Sequence, residues 1–112
     1  MVSVWYARKA ALAFEEAVEQ PHFERTSFRV NKKIFATMDK SKKQVVVKFS
    51  PEEQSLFGIH DPSAIYPVPG GWGKQGYTII ELAKVRKVVF NDALRISYCH
   101  SAPKKLAEKY RL

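Results

Sequence analysis

The sequence predicts an α+β domain in which an antiparallel β-sheet, with basic hairpins as wings, packs against an N-terminal helix and C-terminal helices. Two observations lead there. Apolar residues recur at helical spacing near both ends of the chain, and between them lie β-rich runs separated by short turn-forming segments.

The first helix is expected between Val4 and Gln20. Val4, Ala7, Ala11, Phe14 and Val18 recur at three- and four-residue steps, while Lys9, Glu16 and Gln20 fall elsewhere on the wheel. Pro21 ends it. Phe23–Val30, Ile34–Met38 and Val45–Phe49 then read as three antiparallel strands joined by Asn31-Lys32 and by "DKSKK", Asp39 to Lys43. A two-residue Asn31-Lys32 turn would place Phe28 opposite Phe35 and Lys33 opposite Val30. A three-residue turn gives the more apolar face of Phe28, Val30, Ile34, Ala36 and Met38, and is the preferred register.

In "SPEEQSLFG" Ser50 caps, Pro51 suits the first helical position, Glu53 completes a capping box and Gly58 offers a left-handed stop. Residues 59–71 read as an irregular loop, and Tyr77–Leu82 as a fourth strand with Tyr77, Ile79 and Glu81 on one face. From Val85 to His100 a long helix presents Val85, Val89, Ala93 and Ile96, widened by Phe90, Leu94 and Tyr98. Pro103 restarts the chain as a short basic helix, Lys104 to Tyr110, whose Leu106 and Tyr110 can dock on the body. Without repeats or linkers, residues 1–112 are expected to form one domain.

Charge divides unevenly along this frame. The net charge is +8, yet residues 25–49 alone carry eight Lys and Arg against one acid, and residues 84–112 carry eight against two. Such segregation suits a polyanion, nucleic acid above all. The single cysteine, Cys99, excludes an internal disulfide and fits a reducing compartment, with the cytoplasm as default. No stretch has the length of a membrane span or the apolar run of a signal peptide.

The stretch "YPVPGGWGKQGY", residues 66–77, invites a phosphate-binding reading. Its spacing does not match: Gly70 and Gly73 enclose two residues where a P-loop needs four, and Gln75 follows Lys74 where Ser or Thr is required. The glycines are expected to serve a turn into the fourth strand, with Trp72 packed against the core.

Several signatures together resemble the MmcQ/YjbR family of small bacterial proteins. They are "AVEQPHFERTSFRV", "FRVNKKIFATM", "VVVKFSPEEQ", the "YP...GGWG" approach, and "DALRISY" followed by "APKKLAEKY". The resemblance implies a sheet packed against helices, β-hairpins described as a double wing, and DNA binding as an activity inferred from shape and charge. Carried over by position, the wings are the hairpins at Asn31–Lys33 and Lys40–Lys43. Lys32 stands where a glycine is common in that family.

The candidate DNA-binding residues are therefore Lys32, Lys33, Lys40, Lys42, Lys43 and Lys48, with Arg25 and Arg29 extending the surface if they share its face. Lysines at such tips reach phosphates as point charges and read little sequence, so the expected partner is duplex DNA bound without sequence preference. Lysine at strand ends also discourages edge pairing, so the pattern fits both roles. Lys104, Lys105 and Lys109 form a possible secondary patch. The strand aromatics Phe23, Phe28, Phe35 and Phe49 alternate with aliphatic residues and point to core packing.

The alternative is a protein-interaction or small-ligand module using residues 59–77, with Ile65, Tyr66, Val68 and Trp72 as exposed contacts. Catalysis has little support. Neighbouring Cys99 and His100 point about 100° apart on a helix, which prevents a nucleophile–base pair by adjacency. His60 and Asp61 lack further ligands at metal-binding spacing. No enzyme activity, metal, cofactor or membrane partner is expected.

Overall fold

The computed structural model describes residues 1–111. Its elements run α1 (Val4–Leu12), β1 (Val18–His22), β2 (Arg25–Val30), β3 (Lys33–Asp39), β4 (Gln44–Lys48), α2 (Pro51–His60), β5 (Ile65–Pro67), α3 (Gly71–Lys74), β6 (Tyr77–Glu81), α4 (Lys87–Ser101) and α5 (Lys104–Ala107). Six strands form one sheet in the order β1-β2-β3-β4-β6-β5, and every neighbouring pair is antiparallel. The expected α+β architecture is present. Among the described residues no helix is long and apolar enough to cross a membrane.

The first helix is shorter than its periodicity predicts. Ser3 caps it by accepting from the Tyr6 N–H at 2.9 Å, but it ends at Leu12. Phe14 then turns inward to stack on Tyr98 at 4.5 Å, and Glu16, at φ 63°, reverses the chain. Residues 18–22 form an edge strand, where the apolar periodicity predicts helix as far as Gln20 and a stop at Pro21. Pro21 lies inside that strand, where an edge position tolerates its missing N–H.

The first hairpin corrects the preferred register. The turn has two residues, Asn31 and Lys32, both at positive φ, and pairs Val30 with Lys33. The alternation is then broken between Phe28 and Arg29: Arg29 pairs with Ile34 while Phe28 pairs with Ala36, leaving Phe35 as the extra residue of a bulge. Phe35, Ala36 and Met38 are all buried as a result, and Ile34 is only half-buried. Ser97 of α4 serves the bulge. Its hydroxyl donates to the Phe35 carbonyl at 2.6 Å and accepts from the Lys48 N–H at 3.1 Å.

The capping box forms as predicted, with the Ser50 N–H donating to Glu53 Oε1 at 2.8 Å and the Glu53 N–H to Ser50 Oγ at 3.2 Å. Gly58 lies within α2 and does not stop it; Asp61 is the C-cap. The supposed loop of residues 59–71 contains β5, which adds to the edge of β6, and borders the short α3.

One face of the sheet carries the core. Phe28, Val30, Met38, Val45, Val47, Ile65 and Ile80 meet Phe90, Ala93, Leu94 and Tyr98 of α4, with Ala7 and Ala11 of α1 and Leu106 beyond them. Tyr110 joins by an edge contact on Phe14, so the expected docking of the terminal segment holds although α5 itself ends at Ala107. The opposite face bears the half-buried residues Ile34, Thr37, Val46 and Ile79.

Candidate nucleic-acid interface

The β3–β4 hairpin is shaped by its own side chains. Asp39 Oδ1 accepts from the Ser41 hydroxyl at 2.8 Å and from the Ser41 and Lys42 N–H groups at 3.1 Å each. The Ser41 hydroxyl, followed by the Lys42 N–H, holds the Asp39 carboxyl below its usual range. That carboxylate is committed to the turn. Lys40, Lys42 and Lys43 remain exposed, and Lys43 adopts φ 54°, a left-handed backbone that glycine would occupy with less strain.

This tip is joined to a distant part of the chain. The Leu82 N–H donates to the Lys43 carbonyl at 2.9 Å, and the segment that follows carries Lys84, Arg86 and Lys87, all exposed. Lys84 is two residues beyond Leu82, hence within about 7 Å of chain from that bond. Arg86 is the N-cap of α4, makes no side-chain capping bond, and is followed by no acid in the first turn. Six cations thus lie on the two segments that this bond joins, none of them in a salt bridge among the described residues, with Lys87 set over the Tyr6 ring of α1 at 4.7 Å. The N-terminal end of the 15-residue helix adds its partial positive charge. Sequence reading missed Lys84, Arg86 and Lys87 as members of a site; the signal was the charge surplus of residues 84–112.

The other candidate lysines lie elsewhere. Lys32 and Lys33 are exposed at the opposite end of β3, whose seven residues span about 20 Å. In an up-and-down sheet, successive hairpin tips point in opposite directions, so the two wings do not form one patch. Ser101 Oγ donates to the Ile34 carbonyl at 3.5 Å, bringing the C-terminal end of α4, and the exposed Lys104 and Lys105 beyond it, to the Lys33 end. Lys109 instead pairs with Glu15 at 2.5 Å. Lys48 lies over the Tyr77 ring at 5.1 Å, on the face away from the helices.

Within residues 59–77 the structure separates the proposed contacts. Ile65 is fully buried, not exposed, because β5 pairs with β6. Tyr66 donates its hydroxyl to Glu81, an interaction that, with burial, pushes the phenol above its usual range. Trp72 is 62% exposed and touches Tyr77 edge-on at 5.4 Å, so it does not anchor the chain in the core. The glycines answer to close packing: a Cβ on Gly73 would lie 2.0 Å from the Val68 carbonyl oxygen, and one on Gly76 2.0 Å from that of Phe49. Trp72, from α3, and Val68 form one wall of a groove of about 910 Å³ on the face away from α1 and α4. Its floor is Ile34, Thr37 and Val46, and its other wall is the β1–β2 turn with Phe23, which is 94% exposed and not in the core.

Cys99 and His100 serve different partners. Burial pushes the Cys99 thiol above its ordinary pKa and Sγ faces the Ala107 carbonyl at 3.7 Å, whereas His100 Nε2 lies 2.6 Å from Glu53 Oε1. Among the described residues no three His, Cys, Asp or Glu side chains come together as metal ligands.

No curated protein matches the chain. Its fold is similar to that of the crystal structure of Deinococcus radiodurans protein DR2400, a DUF419-domain protein. The TM-score is 0.79 at 20% sequence identity, over 98% of this chain and 88% of that one. The YjbR family model matches residues 12–100, from the end of α1 through the sheet to the last turns of α4, and the chain therefore belongs to the YjbR family.

Proposed function

We propose that the protein is a non-enzymatic DNA-binding module that grips duplex phosphates electrostatically and without sequence preference. The observation that carries this reading is the convergence of Lys40, Lys42 and Lys43 with Lys84, Arg86 and Lys87 at one end of the sheet, with Asp39 engaged in its own turn. Clustered, exposed cations outside any salt bridge among the described residues, which outnumber the one nearby carboxylate of Asp39, favour a polyanion through counterion release. Helix N-termini add a site preference for phosphate oxygens. Five of the six cations are lysine, which contacts phosphate as a point charge and supports positioning over base reading.

Lys32 and Lys33 form a second, weaker contact at the far end, too distant for the same phosphates. The test is anisotropy titration of a labelled duplex with wild type, Lys40→Glu/Lys42→Glu/Lys43→Glu, and Lys32→Glu/Lys33→Glu. The first variant is expected to lose at least tenfold in affinity and the second clearly less. Equal binding by all three proteins would refute the reading.

A further inference from the structure

The face of the sheet away from α1 and α4 has a composition that the hairpin tips do not explain. We propose that it binds single-stranded nucleic acid, with bases stacking on Phe23 and Trp72 and phosphates meeting Arg25, Arg29 and Lys48.

Phe23 is the strongest pointer. It is the first residue of the two-residue β1–β2 turn, at φ 59°, and its side chain is 94% exposed. A left-handed backbone is costly for any residue with a Cβ, and glycine or asparagine would relieve it. Here a large apolar ring is held out in water at that position, with His22 edge-on to it at 4.9 Å. Of the five non-glycine residues at positive φ among those described, Phe23 is the one that holds a large apolar ring in water, and such an outlier motivates a functional reading. Across the groove stands Trp72, also exposed. Across the strands the walls are four inter-strand spacings apart, about 19 Å, and they are offset along them as well, with Phe23 beyond the His22–Arg25 pair and Trp72 on Tyr77 at the opposite strand ends. A sheet face of that width accommodates two or three stacked bases.

Charge selects the occupant. Arg25 lines the groove, while Arg29 and Lys48 share its face by strand register: Arg29 pairs with Ile34, and Lys48 with Tyr77. None of the three is in a salt bridge among the described residues. Of the acids on this face, Asp39 accepts within its own turn and Glu81 accepts from Tyr66 and Gln44, both outside the groove, whose lining holds Glu24 as its one acidic residue. Aromatic platforms interleaved with unpaired cations are the combination single strands use. A second copy of a chain of net charge +8 would bring like charge to like, and a purely apolar partner would leave the three cations without a counterpart.

The β1–β2 turn shares its end of the sheet with the Lys40–Lys43 tip, so the two proposals are told apart by which nucleic acid each substitution releases. The experiment titrates a labelled twelve-residue oligothymidylate and a labelled duplex against wild type, Phe23→Ala, Trp72→Ala, the double variant and Phe23→Trp. Each alanine variant is expected to lose between about fivefold and a hundredfold for the single strand. Duplex affinity should change less than twofold, and Phe23→Trp should keep wild-type single-strand binding. Both rings are exposed, so the fold is not at risk; circular dichroism checks it. Unchanged oligothymidylate binding by the double variant would overturn the proposal, as would absence of binding by wild type at low salt. Equal loss for duplex and single strand would also overturn it, as would wild-type self-association abolished by these substitutions in sedimentation.

Discussion

The carbonyl of Lys43 accepts the Leu82 N–H at 2.9 Å, and this one bond brings the tip of the β3–β4 hairpin to the segment that opens α4. Two basic stretches separated by about forty residues become one surface through it. The charge segregation in the sequence is thereby given a location, the end of the sheet where the segment of Lys40, Lys42 and Lys43 meets the one that carries Lys84, Arg86 and Lys87.

Arg86 occupies a helix N-cap with φ −78° and ψ 148°, a backbone that suits Asp or Ser, and it supplies no capping bond. Arg86→Asp should therefore stabilise the protein by about 1 kcal/mol, through a new cap and a favourable helix dipole. The same change should weaken duplex binding severalfold. Denaturant melts and anisotropy on one preparation test both; a variant that gains stability and keeps its affinity would remove Arg86 from the interface.

Lys32 sits at φ 68° beside Asn31 at φ 50°, a pair of turn residues that favours Asn-Gly. Lys32→Gly should raise stability by up to about 1 kcal/mol by relieving the left-handed strain. Affinity for duplex should fall only slightly, because Lys32 lies at the end of the sheet away from the main cluster. A thermal melt that shows Lys32→Gly less stable than wild type would contradict this account of the turn.

The glycines of residues 70–76 should not be equivalent. Gly76 has φ 104° and leaves only 2.0 Å between an added Cβ and the Phe49 carbonyl oxygen, whereas Gly71 has nothing within 4 Å. Gly76→Ala should cost well over 1 kcal/mol, and Gly71→Ala should be near neutral. Urea midpoints of the two variants measure the difference, and equal midpoints would contradict the packing account of this stretch.

Glu53 links the capping box of α2 to His100 of α4. Burial pushes its carboxyl up, but the Ser50 N–H and His100 outweigh that and hold it below its ordinary value of 4.5. A depressed carboxyl contributes stability that is fully present above 4.5 and is lost as pH falls through the lower folded value. Glu53→Gln should accordingly be less stable than wild type at pH 6, with the gap closing as pH falls below 4.5. A gap that stays constant down to pH 3 would show that the charge of Glu53 is not what matters.

Local chemistry made much of the fold legible. Ser50, Pro51 and Glu53 specify the start of α2 by themselves, and the apolar stripe of α4 requires only helical spacing. What was not legible depends on contacts distant in sequence. Val18 and Pro21 read as helix and stop, and only pairing with β2 makes residues 18–22 a strand. The bulge at Phe35 is served by Ser97, over sixty residues away, whose hydroxyl satisfies the Phe35 carbonyl and the Lys48 N–H inside the fold. The wing lysines were visible as residues; that their two hairpins point to opposite ends, and that Lys84, Arg86 and Lys87 join only one, came from sheet order and the Leu82–Lys43 bond. Phe23 read as a core aromatic because alternation does not reveal where a turn begins.

The most direct test of the central claim is the salt dependence of duplex binding by the wild-type protein. With about six phosphates neutralised, the logarithm of the binding constant should fall against the logarithm of salt concentration with a slope of roughly −5. Reversing Lys40, Lys42 and Lys43 together should reduce the magnitude of that slope to about half. A wild-type slope shallower than about −1, or one unchanged by the triple reversal, would contradict phosphate binding at this end of the sheet.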